Sequence, residues 1–533
     1  MLDLLIRNGR IIDGTGAPWF RGDVGVVSGR IAALSPHLTC PSRRTLEAKR
    51  CLVTPGFIDT HSHGDYGIIS FPTAENLVRQ GITTSVLGNC GVSLAPFSDA
   101  AADLILSQFP FLREEERQRK MLPWQSFGEY LDHVEAANPA VNIAAFVGHG
   151  ALRALVMGHE ARVACPEEAR QMQGLLRICL EQGAFGMSTG LIYPPGVYST
   201  TDELIALADT LADHRRLYAT HVRSETDMLI DALNEALEIA KRSGVSVHIS
   251  HHKAAGQRNW GTVAQSLACM EAARSAGIDV TCDVYPYTAG STTLSALLPP
   301  WAGEGGAEGI RSSLSDPSLR SRIAQALDAS HSDWENLFNA VGPEGIVLSS
   351  CPNHPTFEGQ SLTELSTHLG KNVYDTMFDL IAESPEGTLV VLFEMSEEDV
   401  TRVVCHRLST ICCDGNICPA SEGRLHPRTF GSFIRALVGT RSGYYPIAME
   451  EMIRKMTSFP AQRMGLLDRG ILREGLAADI LVFSEEEISE GCDFDTPNRY
   501  AGGMSHVLIN GTPVIEEGKM TGARPGMVFR ASS

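Results

Sequence analysis

The chain has 533 residues, enough for roughly three or four domains of about 150 residues or for one large barrel with additions. Hydrophobic residues make up 43% and charged residues 20%, a balance that excludes a wholly disordered chain. With 44 Lys plus Arg against 63 Asp plus Glu, the net charge of −19 argues against nucleic acid or an anionic membrane as the main partner.

Residues 1–54 read as short strands. Apolar and polar residues alternate in LDLLIRNGRIID and GDVGVVSGRIAAL and break at Asn8-Gly9, Gly14-Thr15-Gly16 and Ser28-Gly29. Asp3 interrupts the first residues and no apolar stretch follows, so no signal peptide is expected. The 13 cysteines form an odd, scattered set, which fits reduced thiols in a cytoplasmic protein.

The middle of the chain, 55–465, repeats a strand-then-helix rhythm. The window 141–158 is its most apolar part, but His149 and Arg153 lie inside it and it is too short to span a membrane. A helix is predicted over 166–182, opened by Pro166 and stopped by Gly183, and another over 225–243, with Lys241 and Arg242 in its last turn and Gly244 beyond. Apolar, β-branched runs alternate with these: ITTSVLG, LYATHV, VSVHIS, VTCDVY and LSTICC. The pattern predicts an α/β fold, a TIM-type (β/α)8 barrel over 55–465. An open doubly wound sheet is the alternative, weakened by the lack of a Gly-rich phosphate loop after a strand. Residues 288–345 break the rhythm and read as an inserted flap. The last segment, 466–533, has the texture of the first, and the two ends together are expected to build a small β-sandwich domain.

The strongest local signal is Asp59-Thr60-His61-Ser62-His63, where residues two apart share a face of a strand and can chelate a metal. Four further apolar runs end in Cys90, His221, His251 and Asp414. In a parallel barrel the strand ends converge on one rim, where barrel enzymes carry their chemistry. Strand parity puts Val247, Ile249 and His251 on one face, His248 and Ser250 on the other toward the helices, and Lys253 with His251. Cys412, Cys413 and His252 are read as packing, and His37, His133, His159, His214, His331, His354, His368 and His506 as surface or packing residues, whereas His149, which also ends an apolar run, is a candidate to line the pocket.

These residues lie within recognisable stretches: PGFIDTHSHGD, GITTSVLGNCGVSLAP, GAFGMSTGLIYPPG, YATHVRSE, ISHHK, DVYPYTAGST, MSEEDV, HPRTFGSF, KMTSFPAQRMGL and GARPGMVFR. Over nearly the whole chain the sequence resembles the amidohydrolase superfamily, and within it the N-acyl-D-amino-acid deacylases. The resemblance implies one zinc held tightly by Cys90, His221 and His251, with His61 and His63 at a second, weaker metal position. It implies that Asp414 is the general acid/base. Many members of that superfamily bridge two metals with a lysine of the fourth strand; the candidate here, GAFGMSTG, holds none, and the resemblance implies that the Cys90 thiolate takes that negative role. Tyr193, Lys253, Tyr285, Ser291 and Arg428 match positions that hold the substrate, chiefly its α-carboxylate.

The chemistry agrees: amide hydrolysis needs an activated water, a polarised carbonyl and a proton for the leaving amine, and a zinc beside a carboxylate supplies them. The anionic substrate calls for Lys253 or Arg428. The resemblance implies that the stretch after Ser291 helps build the side-chain pocket; here that stretch, TTLSALLPPW, holds no Lys or Arg, so a neutral or hydrophobic side chain is expected on the D-amino acid that the resemblance implies. The alternatives are an amidohydrolase of cyclic amides and a non-catalytic barrel scaffold. Oligomeric state has no signal in the residues.

Overall fold

A computed structural model describes residues 1–106, 109, 121–329, 333–421 and 423–532; His331 lies outside the described residues. Among them, eight parallel strands form the barrel. They are Phe57–Asp59, Ile82–Leu87, Asn142–Ala145 resuming as Val147–Gly148, Gly186–Gly190, Leu217–His221, Ser246–Ile249, Val280–Val284 and Ser409–Ile411. Each pairs in parallel with the next in chain order. Closure falls on the rim just beyond the strands. The Asp414 N–H donates to the His61 carbonyl at 2.8 Å, and the His63 N–H donates to the Gly415 carbonyl at 2.9 Å. The hydrogen bonds that shut the cylinder therefore run through residues with chemical side chains.

The helices follow from their apolar spacing. Pro166–Glu181 starts on its proline and buries Met172, Leu176, Cys179 and Leu180. The second predicted helix is shorter than expected. It spans Leu229–Ser243, buries Leu229, Leu233, Ala236, Leu237 and Ala240, and ends on Gly244 at φ 75°. Residues 225–228 belong to the loop between the fifth strand and this helix, where the Glu225 side chain binds His251 and Lys253.

The two chain ends meet in one nine-stranded hydrogen-bonded network that branches at Leu2–Ile11, its two parts sharing one apolar cluster. Leu2–Ile11 joins its parts, because its first half pairs with Ser42–Glu47, its last residues with Leu52–Pro55, and Phe20–Val27 runs antiparallel to it. The C-terminal strand Ile480–Phe483 pairs with Leu52–Pro55. Its alternate residues face two cores: Ile480 and Val482 join the apolar cluster of the sheet, Leu481 and Phe483 that of the barrel.

The inserted unit runs beyond residue 345. Between the seventh and eighth barrel strands lies a three-stranded antiparallel sheet of Ala289–Thr293, Leu389–Phe393 and Ile346–Ser350. It has its own apolar cluster, including Leu294, Leu297, Ile346, Phe378, Ile381 and Val390. The return strand Leu389–Phe393 is central in this sheet, so the unit closes only near residue 394. No described helix is long and apolar enough to cross a membrane.

One parity expectation is reversed. Val247 and Ile249 pack in the cluster shared with the helices, while His248 points into the barrel and bonds Thr281 Oγ1 at 2.7 Å and Asp283 Oδ2 at 3.0 Å. The strand ends at Ile249, and His251 reaches the rim through a left-handed backbone, φ 34°, instead of by strand alternation.

Candidate metal centre and active site

Three rim residues adopt backbone conformations that L-residues avoid: Cys90 at φ 51°, His251 at φ 34° and Asp414 at φ 48°. Each turns the chain sharply at a strand end and directs its side chain over the barrel mouth. Such strain persists only where the surroundings enforce it. Around Cys90 the enforcement is visible: a Cβ on Gly88 would stand 2.1 Å from the Phe146 carbonyl oxygen, and one on Gly91 2.7 Å from Gly190 N. The Asn89 amide donates to the Val86 carbonyl at 3.0 Å. The GNCG stretch is thus a tight turn that presents one sulfur.

That sulfur is the centre of the cluster. Cys90 Sγ lies 3.3 Å from His61 Nε2, 3.3 Å from His251 Nε2 and 3.8 Å from His221 Nδ1. Asp414 Oδ1 lies 3.0 Å from His63 Nε2 and 3.4 Å from His61 Nε2. Two overlapping sets can each hold an ion: Cys90, His221 and His251, and His61, His63, Cys90 and Asp414, the donor atoms of each within 4.8 Å of one another. Cys90 belongs to both.

The charges fit a cation. Burial opposes ionisation of the Cys90 thiol, but His61 and His251 outweigh it and hold the thiol well below its ordinary value. Burial likewise opposes the charged form of His63 and His251, yet Asp414 and Cys90 beside the one, and Glu225 and Cys90 beside the other, push each up to about 9. Burial instead holds His221 below its ordinary value, so a thiolate stands among three imidazoles held protonated and one held neutral, a site from which a divalent cation displaces protons. His61 Nδ1 and His221 Nε2 face the carboxylates of Asp283 at 3.4 Å and Glu225 at 3.7 Å, which leaves His61 Nε2 and His221 Nδ1 turned toward Cys90. Thiolate and imidazole donors together suit zinc.

Two carboxylates that orient this cluster escaped the sequence reading. Glu225 Oε1 accepts from His251 Nδ1 at 3.0 Å, and both its oxygens bind Lys253 Nζ at 2.7 Å. Asp283 Oδ2 lies 3.4 Å from His61 Nδ1. Its signal was present, since it stands near the end of a β-branched run as Asp414 does. Carboxylates behind ligating histidines fix their tautomer and direction. His149, also at the end of an apolar run, is bound instead to Glu203 at 2.8 Å, and His252 to Ser266 at 2.7 Å, as packing residues.

A cavity of about 310 Å³ opens onto the cluster, a size that suits a small ligand. It is lined by His63, Cys90, His221, His251 and Asp414, and by all five residues matched to substrate binding. His61 lies behind them, fully buried. Tyr193 Oη shares a 3.1 Å hydrogen bond with Thr292 Oγ1, and its ring stands edge-on to His221. Arg428 lies over the Tyr285 ring, 4.6 Å from its centre, and reaches the Ser291 carbonyl at 3.3 Å. Arg428 also binds Asp414 Oδ2 at 2.8 Å. Both cations lining the cavity, among the described residues, are therefore paired with carboxylates. Leu104, Phe109, Ile192, Leu298, Ile310 and Leu392 form much of the remaining wall.

The sequence profile described as the amidohydrolase family matches residues 44–324 and 438–515. A D-aminoacylase from Alcaligenes xylosoxydans xylosoxydans is 35% identical over 529 residues, 99% of this chain and 97% of that protein. The structure of N-acyl-D-glutamate deacylase from Bordetella bronchiseptica, complexed with zinc and a phosphonate that mimics the tetrahedral intermediate, superposes with a TM-score of 0.81. It is 31% identical, and the match covers 99% of this chain and 100% of that one. A D-aminoacylase structure concerned with a binuclear metal centre, one metal activating and the second attenuating, gives a TM-score of 0.83 at 33% identity over 99% and 100% of the two chains. Matched in sequence and in fold over nearly its whole length, the chain belongs to the amidohydrolase family.

Proposed function

We propose that this protein is a zinc-dependent deacylase that hydrolyses the amide bond of N-acyl-D-amino acids with neutral or apolar side chains. The observation that carries the reading is Cys90 Sγ within 3.3–3.8 Å of three imidazole nitrogens, beside a buried carboxylate, at the floor of a cavity. Cys90, His221 and His251 would hold one zinc tightly, and His61 and His63, sharing Cys90 and Asp414, a second more weakly. Zinc there supplies Lewis acidity that polarises a carbonyl and brings the pKa of water to about 7.

The protein's own groups do the rest. Burial would keep Asp414 protonated, but Arg428 and His61 outweigh it and hold it ionised well below the usual carboxylate range. It is ready to take a proton from the attacking water and return it to the leaving nitrogen. Lys253, Arg428, Tyr193, Tyr285 and the Ser291 segment face the same space and would orient the substrate's carboxylate. The free cysteines fit a cytoplasmic setting.

Both a D-aminoacylase and a D-glutamate deacylase are similar to this chain, so the choice of side chain rests on the wall. It offers apolar surface, and each of its described cations already has a carboxylate partner. Desolvating a second carboxylate without a free cation is costly. N-acetyl-D-leucine and N-acetyl-D-methionine are expected to exceed N-acetyl-D-glutamate in kcat/KM by at least about tenfold, and N-acetyl-L-leucine by more. Preference for the glutamate derivative would refute the side-chain reading, and preference for the L-isomer the stereochemical one.

Glu225→Gln keeps the shape of the side chain but weakens its hold on His251. Zinc affinity, measured by competition with a chelating dye, is expected to fall about 10–100-fold. Unchanged affinity would show that Glu225 does not support the ligand.

A further inference from the structure

Glu394 follows the return strand Leu389–Phe393 of the inserted unit. Leu392 and Glu394, two residues apart, both line the cavity. Glu394 is only 4% exposed, and its main-chain carbonyl is fixed by the Gly256 N–H at 2.8 Å and Trp260 Nε1 at 2.9 Å. Its carboxyl group takes no hydrogen bond from any described residue. Across the sheet, Gly290 leaves room for it: a Cβ there would stand 2.3 Å from Glu394 Oε1 and 3.3 Å from Tyr285 Oη. An unpartnered buried carboxyl is therefore seated in the wall shared by Tyr285, Lys253 and Arg428.

The charges there leave little room for another anion. Lys253 is matched by Glu225 and Arg428 by Asp414. A third carboxylate would make this wall negative where an anionic substrate must enter. A carboxylic acid leaves it neutral and adds a donor.

We propose that Glu394 bears a proton in the working enzyme and donates it in a hydrogen bond to the substrate's carboxylate, and that ionisation of Glu394 expels that substrate. This rests on the function proposed above. Burial pushes Glu394 up to about 8; Lys253 and Arg428 oppose this, Glu225 and Glu335 add to it. These groups face it from the loops after the fifth and sixth strands, the helix after the eighth and the inserted unit, with Tyr285 from the loop after the seventh. A group raised in this way is neutral below about pH 8 and anionic above. Substrate affinity should therefore be lost as pH rises, not as it falls.

The test is the ratio of kcat/KM for N-acetyl-D-leucine to that for N-acetyl-D-leucinamide, followed from about pH 6.5 to 9.5; titrations common to both substrates cancel. In the wild type the ratio is expected to fall by nearly tenfold per pH unit above about pH 8. In Glu394→Gln, whose amide donates but cannot ionise, the ratio is expected to vary less than about twofold. A flat ratio in the wild type, or an undiminished fall in Glu394→Gln, overturns the assignment while the deacylase reading stands. Failure of the wild type to turn over any N-acyl-D-amino acid overturns both.

Discussion

Asp414→Asn is expected to lower kcat by roughly 10²–10⁴-fold, the range for loss of a positioned general base. Asparagine is the informative replacement. Residue 414 sits at φ 48°, a left-handed conformation that Asn tolerates better than most residues, and its N–H bond to the His61 carbonyl is kept. The amide cannot accept the water's proton. Arg428, released from its 2.8 Å pair with Asp414, becomes free to bind the substrate's carboxylate, so KM is not expected to rise. Cys90, His221 and His251 are untouched, and tightly bound zinc should remain. Activity within tenfold of wild type would remove Asp414 from the chemistry. Loss of all zinc with the activity would make it primarily a ligand.

Cys90→Ala is the second large effect. Complete zinc sites are worth about 10–16 kcal/mol, or roughly 3–4 kcal/mol per ligand, so losing the sulfur should weaken zinc about 10²–10³-fold. The loss should be felt at both positions, because Cys90 belongs to both sets of donors. Purified Cys90→Ala is expected to carry little zinc and to show activity only when zinc is added in excess. His221→Ala should affect the first position alone, since His221 belongs only to the Cys90–His251 set. A Cys90→Ala protein that retains full zinc and activity would show the thiol to be a buried packing residue.

The barrel and its rim were legible because strand ends in a parallel barrel carry both signals together: an apolar, β-branched run and then a ligand-type residue. Cys90, His221, His251 and Asp414 all follow that pattern. His248 was misplaced because period-two alternation holds only while a strand lasts; at Ile249 the strand stops, and the left-handed turn at His251 brings that side chain round. Glu225, Asp283 and Glu394 were missed for another reason. Their importance lies in partners from remote segments: the His251 ring and Lys253, the His61 ring, and the space above Gly290. The length of the inserted unit was hidden because Ile346–Ser350, Leu362–Leu369, Val373–Glu383 and Leu389–Phe393 keep the same strand–helix rhythm as the barrel. Their antiparallel pairing, not their composition, separates them from it.

Zinc K-edge X-ray absorption of the purified wild-type protein, with metal analysis of the same sample, bears most directly on the centre. Tightly bound zinc with one sulfur at about 2.3 Å and imidazole nitrogens at about 2.0–2.1 Å is expected. Zinc with only nitrogen and oxygen neighbours, or a fully active protein without bound metal, would contradict the account.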